Sequence, residues 1–164
     1  MRLTAMTDYA IRLLMYVACH PGRLCTIGEI AQAYHLSEPH LMKITHRLSR
    51  KGWLATVRGR NGGMRLARPP AEIVLGAVMR DTESDFELVE CFGPNSTCTL
   101  TDHCGLAVVI DGALREFLRY LDGYTLADIL PMPGARVGTR PPRDAGATRE
   151  APGKSPRPMV HPVP

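Results

Sequence analysis

Three of the five cysteines in this 164-residue chain, Cys91, Cys98 and Cys104, share one short stretch otherwise rich in Gly, Pro, Asn, Ser and Thr. Turn residues let the backbone wrap around a centre, so thiolates on such a loop can converge on one inorganic group. Tetrahedral zinc fits the spacing poorly. The stretch reads C-x6-C-x4-H-C, whereas zinc sites favour C-x2–4-C pairs, and adjacent His103 and Cys104 are hard to bring onto one small ion. An iron–sulfur cluster is larger, and its ligands can be spread more widely around a loop. Three cysteines leave one iron corner for a ligand that is not a thiolate, with His103, Asp102 or water as local candidates. A corner closed in that way stays open to small molecules, which suits a sensor better than an electron carrier. The helix expected after the loop is capped by Thr101 or Asp102, so Cys104 falls in its first turn. There the positive end of the helix favours a thiolate. Cys19 and Cys25 are remote, and Cys19 sits in an apolar helix where burial is its default role.

The elements that must position this loop begin with three short helices. Residues 7–20 read as a helix with Ile11, Leu14, Met15 and Ala18 on one face, stopped by Pro21 and Gly22. Residues 26–34 form a second, with Ile27, Ile30, Ala31 and Tyr34 inward. His35, Leu36 and Ser37 make a tight turn into a third helix over 38–50, with Ser37 as N-cap and Pro39 in the first turn. On that helix Leu41, Ile44 and Leu48 face inward, while His40, Lys43, Arg47 and Arg50 line a different, basic face. Helix, tight turn and basic helix is the helix-turn-helix pattern, whose second helix enters the major groove of DNA. Ser37, Glu38 and Pro39 at the start of that helix join its candidate DNA contacts. Residues 53–58 and 64–68 are two strand-like runs joined by Asn61, Gly62 and Gly63, which predicts a hairpin. A hairpin in that place is a wing, and Arg58, Arg60 and Asn61 at its tip suit a narrow, electronegative minor groove.

Pro69 and Pro70 open a further helix over about 71–82, with Ile73, Val74, Ala77 and Val78 apolar, and 86–90 is an extended linker to the cysteine loop. Beyond the loop, Leu106, Val109, Ile110, Ala113, Leu114, Phe117, Leu118 and Leu121 form one stripe along a helix over 105–122. So long a stripe reads as a dimerisation helix, with packing inside one chain as the alternative. A short turn over 124–130 closes the ordered part. The fold class expected is mainly α with a small β-hairpin. Its units are a winged helix-turn-helix domain over 1–70 (helix-turn-helix about 28–51, wing 53–68), a linker, cluster-loop and dimerisation unit over 71–130, and a tail over 131–164.

Charge follows the same division. Residues 1–70 carry eleven Lys or Arg against three Asp or Glu, a net +8, and residues 71–130 carry three against eleven, a net −8. A basic N-terminal module points to a polyanion, with the acidic segment held away from it. Nine of the 34 residues from 131 onward are proline, and no Leu, Ile, Phe, Tyr or Trp occurs there. Such a segment cannot bury enough surface to offset its ordering entropy, so a disordered basic tail is expected. No long apolar run or targeting segment appears, so the expectation is a cytoplasmic protein without membrane contact, where clustered thiols stay reduced. No nucleotide-binding glycine loop or Ser/His/Asp arrangement argues for catalysis, and no enzyme is expected.

The run Met1 to Ala10, the helix-turn-helix, the wing from Val57 to Leu66 and the three spaced cysteines together resemble the NsrR family. These are nitric-oxide-sensitive winged-helix repressors, within the wider family that also contains the iron–sulfur regulator IscR. The likeness covers about residues 1–130. It implies a homodimer that binds double-stranded operator DNA and holds an iron–sulfur cluster through Cys91, Cys98 and Cys104, a 4Fe–4S cluster ahead of a 2Fe–2S one. It further implies that Asp8, contributed by the partner subunit, completes the coordination, although by residue type alone Asp8 is an ordinary first-turn acid four residues before Arg12. Nitric oxide is the implied signal, releasing the operator and derepressing nitric oxide detoxification genes. A redox- or cluster-status regulator with a two-iron cluster, and more distantly a small iron–sulfur electron carrier, are the competing readings.

Overall fold

The computed structural model describes residues 2–100 and 103–131. Three helices open it: α1 (Ala5–Ala18), α2 (Ile27–Tyr34) and α3 (Glu38–Arg50). Helix α1 begins two residues earlier than its sequence suggests, because Thr4 is the N-cap and its Oγ1 accepts from Thr7 N. Thr7 is itself buried. The inward face is Ala10, Leu13, Leu14 and Val17; Ile11, Met15 and Ala18 lie on its flank, half-buried. The helix stops at Ala18, before Pro21 and Gly22 are reached.

Helix α2 is started by a reciprocal cap in which Thr26 Oγ1 accepts from Glu29 N at 3.3 Å and bonds the Glu29 carboxylate at 3.3 Å. Arg23 anchors that carboxylate at 2.7 Å. The turn into α3 passes through His35 with φ 54, a left-handed conformation that histidine tolerates better than most residues. Ser37 occupies the N-cap of α3 as expected, but its side chain makes no capping bond.

Strands β1 (Leu54–Val57) and β2 (Gly63–Leu66) pair antiparallel, from Leu54 opposite Leu66 to Val57 opposite Gly63. The loop is therefore 58–62, closed by Gly62 N donating to Gly59 O at 2.9 Å, with Gly59 at φ 110. A Cβ on Gly62 would lie 2.3 Å from Val57 O, and one on Gly63 would lie 2.7 Å from Cys25 O. The second approach exists because Cys25 pairs with Met64 through two backbone bonds of 2.8 and 2.7 Å, adding a one-residue third strand.

The helix predicted over 71–82 is split. Pro70–Glu72 form one 3₁₀ turn, the backbone extends at Ile73 and Val74, and α4 runs over Leu75–Thr82. Extension lets this segment pair with the chain's return: Leu126 N donates to Ile73 O at 2.8 Å and Leu75 N to Tyr124 O at 2.9 Å. The short turn Leu126–Ile129 is capped reciprocally by Thr125 and Asp128, and Leu126 is fully buried in one core with Leu13, Ile30, Leu41, Leu48, Ile73 and Val78. Helix α5 (Gly105–Asp122) is different: none of its residues is buried, and Val108 and Val109 are 70% and 67% exposed. Its C-terminal end is fixed to α4, where Arg80 forks onto the Asp122 carboxylate at 2.6 and 2.7 Å.

Candidate nucleic-acid interface and cysteine loop

Leu41, Ile44, Thr45 and Leu48 bury the inner face of α3. At 3.6 residues per turn, the opposite face carries Pro39, Met42, Lys43, His46 and Arg50, all exposed, with Glu38 exposed at the helix start. The expected basic stripe therefore divides. Lys43 and Arg50 face solvent, whereas His40 and Arg47 are half-buried on the flank. The His40 ring meets Tyr9 of α1 edge-on at 5.3 Å, and Arg47 Nη1 donates to Thr82 O at 3.2 Å. Met42, 51% exposed, and His46 stand on this solvent-facing side although the sequence-predicted contact set does not include them; their spacing from Leu41, Ile44 and Leu48 is the signal for that exposure. At the wing tip Arg58, Arg60 and Asn61 are all exposed, as is Arg65 on β2. Ser37 is exposed at the entrance to α3.

The cysteine loop is built differently. Cys91 lies in the 3₁₀ turn Glu90–Phe92, and Cys98 N donates to Ser96 Oγ at 3.3 Å. Glu90 Oε1 accepts from Thr97 N at 3.1 Å and from Thr97 Oγ1 at 2.8 Å. Those two residues immediately precede Cys91 and Cys98, so the bond cinches the chain at both cysteines. Thr97's hydrogen bonds hold the Glu90 carboxyl below its usual range. Cys104 is the N-cap of α5 rather than a first-turn residue; the capping expected of Thr101 or Asp102 lies outside the described residues. His103 is exposed.

All three loop cysteines are half-buried, and none of the five is in a disulfide. Cys25 is fully enclosed, and burial pushes its thiol up to about 11; burial also raises Cys19. Cys19, half-buried like the loop cysteines, stands apart from them on α1's C-cap, so the loop holds three of the four thiols that are not enclosed. Among the described residues no three His, Cys, Asp or Glu side chains converge on a single ion. Three soft sulfurs from one irregular loop are donors of the kind that hold iron–sulfur clusters. Asp8 stands at the surface of α1, its carboxylate bonded to Arg12 Nε at 3.0 Å and Nη2 at 2.8 Å. Within its own chain, Asp8 makes the ordinary i, i+4 pair.

The segment that leads to the loop is tied to the first helix. Thr4 N, at the start of α1, donates to Glu83 Oε1 at 3.0 Å, just where the chain leaves α4 for the linker. No described helix is long and apolar enough to cross a membrane.

Two helices joined by a tight turn, followed by a two-stranded wing, define a winged helix-turn-helix protein. Residues 3–131 match the family described as Rrf2, iron-dependent transcriptional regulator, and the chain belongs to that family. It is similar to HTH-type transcriptional regulators NsrR of Geobacillus kaustophilus and Bacillus subtilis, 49% and 46% identical over 132 residues, covering 79% of this chain and 90% of each relative. Among solved structures it resembles T. potens IscR, with TM-score 0.63 and 26% identity, covering 78% of this chain and 85% of that one. It also resembles CymR, the global cysteine regulator of B. subtilis, with TM-score 0.59 and 25% identity, covering 78% and 95%. The protein is a transcriptional regulator and not an enzyme.

Proposed function

We propose that this chain is a homodimeric repressor whose cysteine loop holds an iron–sulfur cluster and whose operator affinity falls when nitric oxide reaches that cluster. The observation that carries the reading is the pairing of two surfaces in one chain: a cationic helix and wing exposed for DNA, and three accessible thiols on a separate loop. The similarity to NsrR proteins supports it. Cys91, Cys98 and Cys104 would hold the cluster, with Asp8 of the partner subunit as the fourth ligand. When bound, the cluster supplies an iron corner without a thiolate, at which nitric oxide reacts.

The chain's own residues account for the transmission. Asp8 and Tyr9 are neighbours on α1, and Tyr9 packs on His40 of α3. A shift of α1 therefore moves the recognition helix directly. Two duplex-reading units must match the spacing of successive major grooves, so a small displacement weakens several phosphate contacts together. Lys43, Arg50, Arg58 and Arg60 supply the charge for those contacts, Ser37, Glu38, Pro39 and Asn61 the remaining polar and shape contacts, and His40 and Arg47 chiefly hold α3 in place.

Protein purified without oxygen from iron-replete cells tests this reading. Bound iron and sulfide with visible absorption, lost together in a Cys98→Ser variant, are expected; colourless, iron-free protein would overturn the cofactor assignment and leave a DNA-binding regulator of another signal.

A further inference from the structure

Asp81, near the end of α4, holds two elements that must reach one duplex together. Its carboxylate is 24% exposed and uses each oxygen separately. Oδ1 pairs with Lys51 Nζ at 2.8 Å, on the residue that caps the C-terminus of α3. Oδ2 accepts from Trp53 Nε1 at 2.8 Å, one residue before β1 begins. Trp53 is 6% exposed, so its indole N–H needs a partner, and a carboxylate makes that bond charge-assisted. Arg68, just past β2, lays its guanidinium 4.8 Å from the centre of the indole and donates to Gly52 O at 3.2 Å. Both ends of the wing thus close on one indole, and one carboxylate holds that indole. The Lys51 pair is half exposed and worth little by itself. Its value lies in tying the same carboxylate to α3.

We propose that Asp81 is a positioning residue for DNA reading: it fixes the angle of the wing against the recognition helix, so that wing tip and α3 engage one duplex at once. The inference rests on the DNA-binding reading and adds a residue outside the contact surface. It also locates where the linker acts. The carbonyl of Thr82, the next residue, accepts from Arg47 of α3, and Glu83 holds Thr4 at the N-cap of α1, so residues 81–83 reach the start of α1, the recognition helix and the base of the wing before the chain departs for the cysteines.

The test uses the full chain and a duplex that the wild-type protein selects from a random-sequence pool. Affinities are measured for wild type, Asp81→Ala, Arg60→Ala and the double variant, on the selected duplex and on an unselected one. Emission of Trp53, the sole tryptophan, is read in parallel. Asp81→Ala is expected to weaken the selected duplex by about tenfold, to leave the unselected one within about twofold, and to make the Arg60→Ala loss largely disappear in the double variant. Trp53 emission should shift to the red. Asp81→Asn keeps an oxygen for the indole and should retain most of the affinity. If Asp81→Ala does not fold, Trp53→Phe, which removes the donor, carries the same cycle. Additive losses, or equal losses on both duplexes, would overturn the proposal. A wild-type protein that selects no duplex would remove the DNA-binding reading beneath it, a failure visible before any variant is made.

Discussion

The reading head and α5 are both rich in apolar residues, yet they are finished to different degrees. In the head, Leu13, Ile30, Leu41, Ile44, Leu48 and Ile73 are sealed completely by their own chain. In α5 no residue is sealed, and Leu106, Val108 and Val109 stand 61%, 70% and 67% exposed. Apolar side chains left in water along several helical turns forfeit roughly 1.5–3 kcal/mol each. The head is complete as a monomer, whereas α5 is a surface in want of a cover, which a second copy supplies in the proposed dimer.

Charging the exposed face of α5 should break this contrast most severely. A Leu106→Asp, Val109→Asp variant is expected to weaken self-association by about 100-fold or more while the head stays folded. Sedimentation at several concentrations reads the first effect and circular dichroism the second. A variant as dimeric as wild type would show that the face is not the interface.

Two helical glycines sharpen the comparison. Replacing Gly by Ala inside a helix ordinarily stabilises by roughly 0.5–1 kcal/mol. At Gly76 on α4 a Cβ would fall 2.0 Å from Asp122 Oδ1, so Gly76→Ala must push the end of α5 away from Arg80 and is expected to destabilise by about 1–3 kcal/mol. At Gly112 on α5 a Cβ meets nothing of its own chain within 4 Å, so there the ordinary stabilisation is expected. Thermal denaturation of both variants checks the opposite signs.

On the head, the wing offers a smaller and purely electrostatic effect. An Arg58→Ala, Arg60→Ala variant removes two cations from each subunit of the dimer and should lower the slope of log affinity against log salt by roughly four, with fold and dimer unchanged. An unchanged slope would mean that the tip never meets phosphate.

The least effect belongs to the buried thiol. Cys25 has its pKa raised from 9.0 to about 11 by desolvation, so the folded state holds its proton more tightly than the unfolded chain does. Its contribution to stability is complete below about pH 9 and is lost as pH rises through about 11. Alkylation of iron-free protein at pH 8 should therefore label the loop cysteines quickly and Cys25 only on unfolding, as mass spectrometry of the labelled peptides would show.

Most of the head was legible from residue order because its signals are local. Thr26 with Glu29 marks a helix start, and Gly62 with Gly63 marks a turn that no side chain could enter. What escaped depended on distant partners. Ile73 and Val74 look helical, but residues 124–126, some fifty positions on, draw them into extended pairing. Nothing near Arg47 in sequence announces its bond to Thr82 O, and nothing near Asp81 announces its bond to Trp53. In the cysteine loop the donors were plain from composition, whereas the Glu90–Thr97 bond that gathers their neighbours was not. The position of Asp8 beside Arg12 agrees with its spacing in the sequence; its role toward a partner's loop is a proposal.

One measurement bears most directly on the claim that the loop governs the head. Anaerobically purified protein bound to its selected duplex is titrated stepwise with nitric oxide while visible absorption and DNA binding are followed in the same sample. Absorption bands that decay in step with release of the duplex, both absent in Cys98→Ser, are the result this account predicts. Duplex held equally tightly before and after the bands are gone would contradict it.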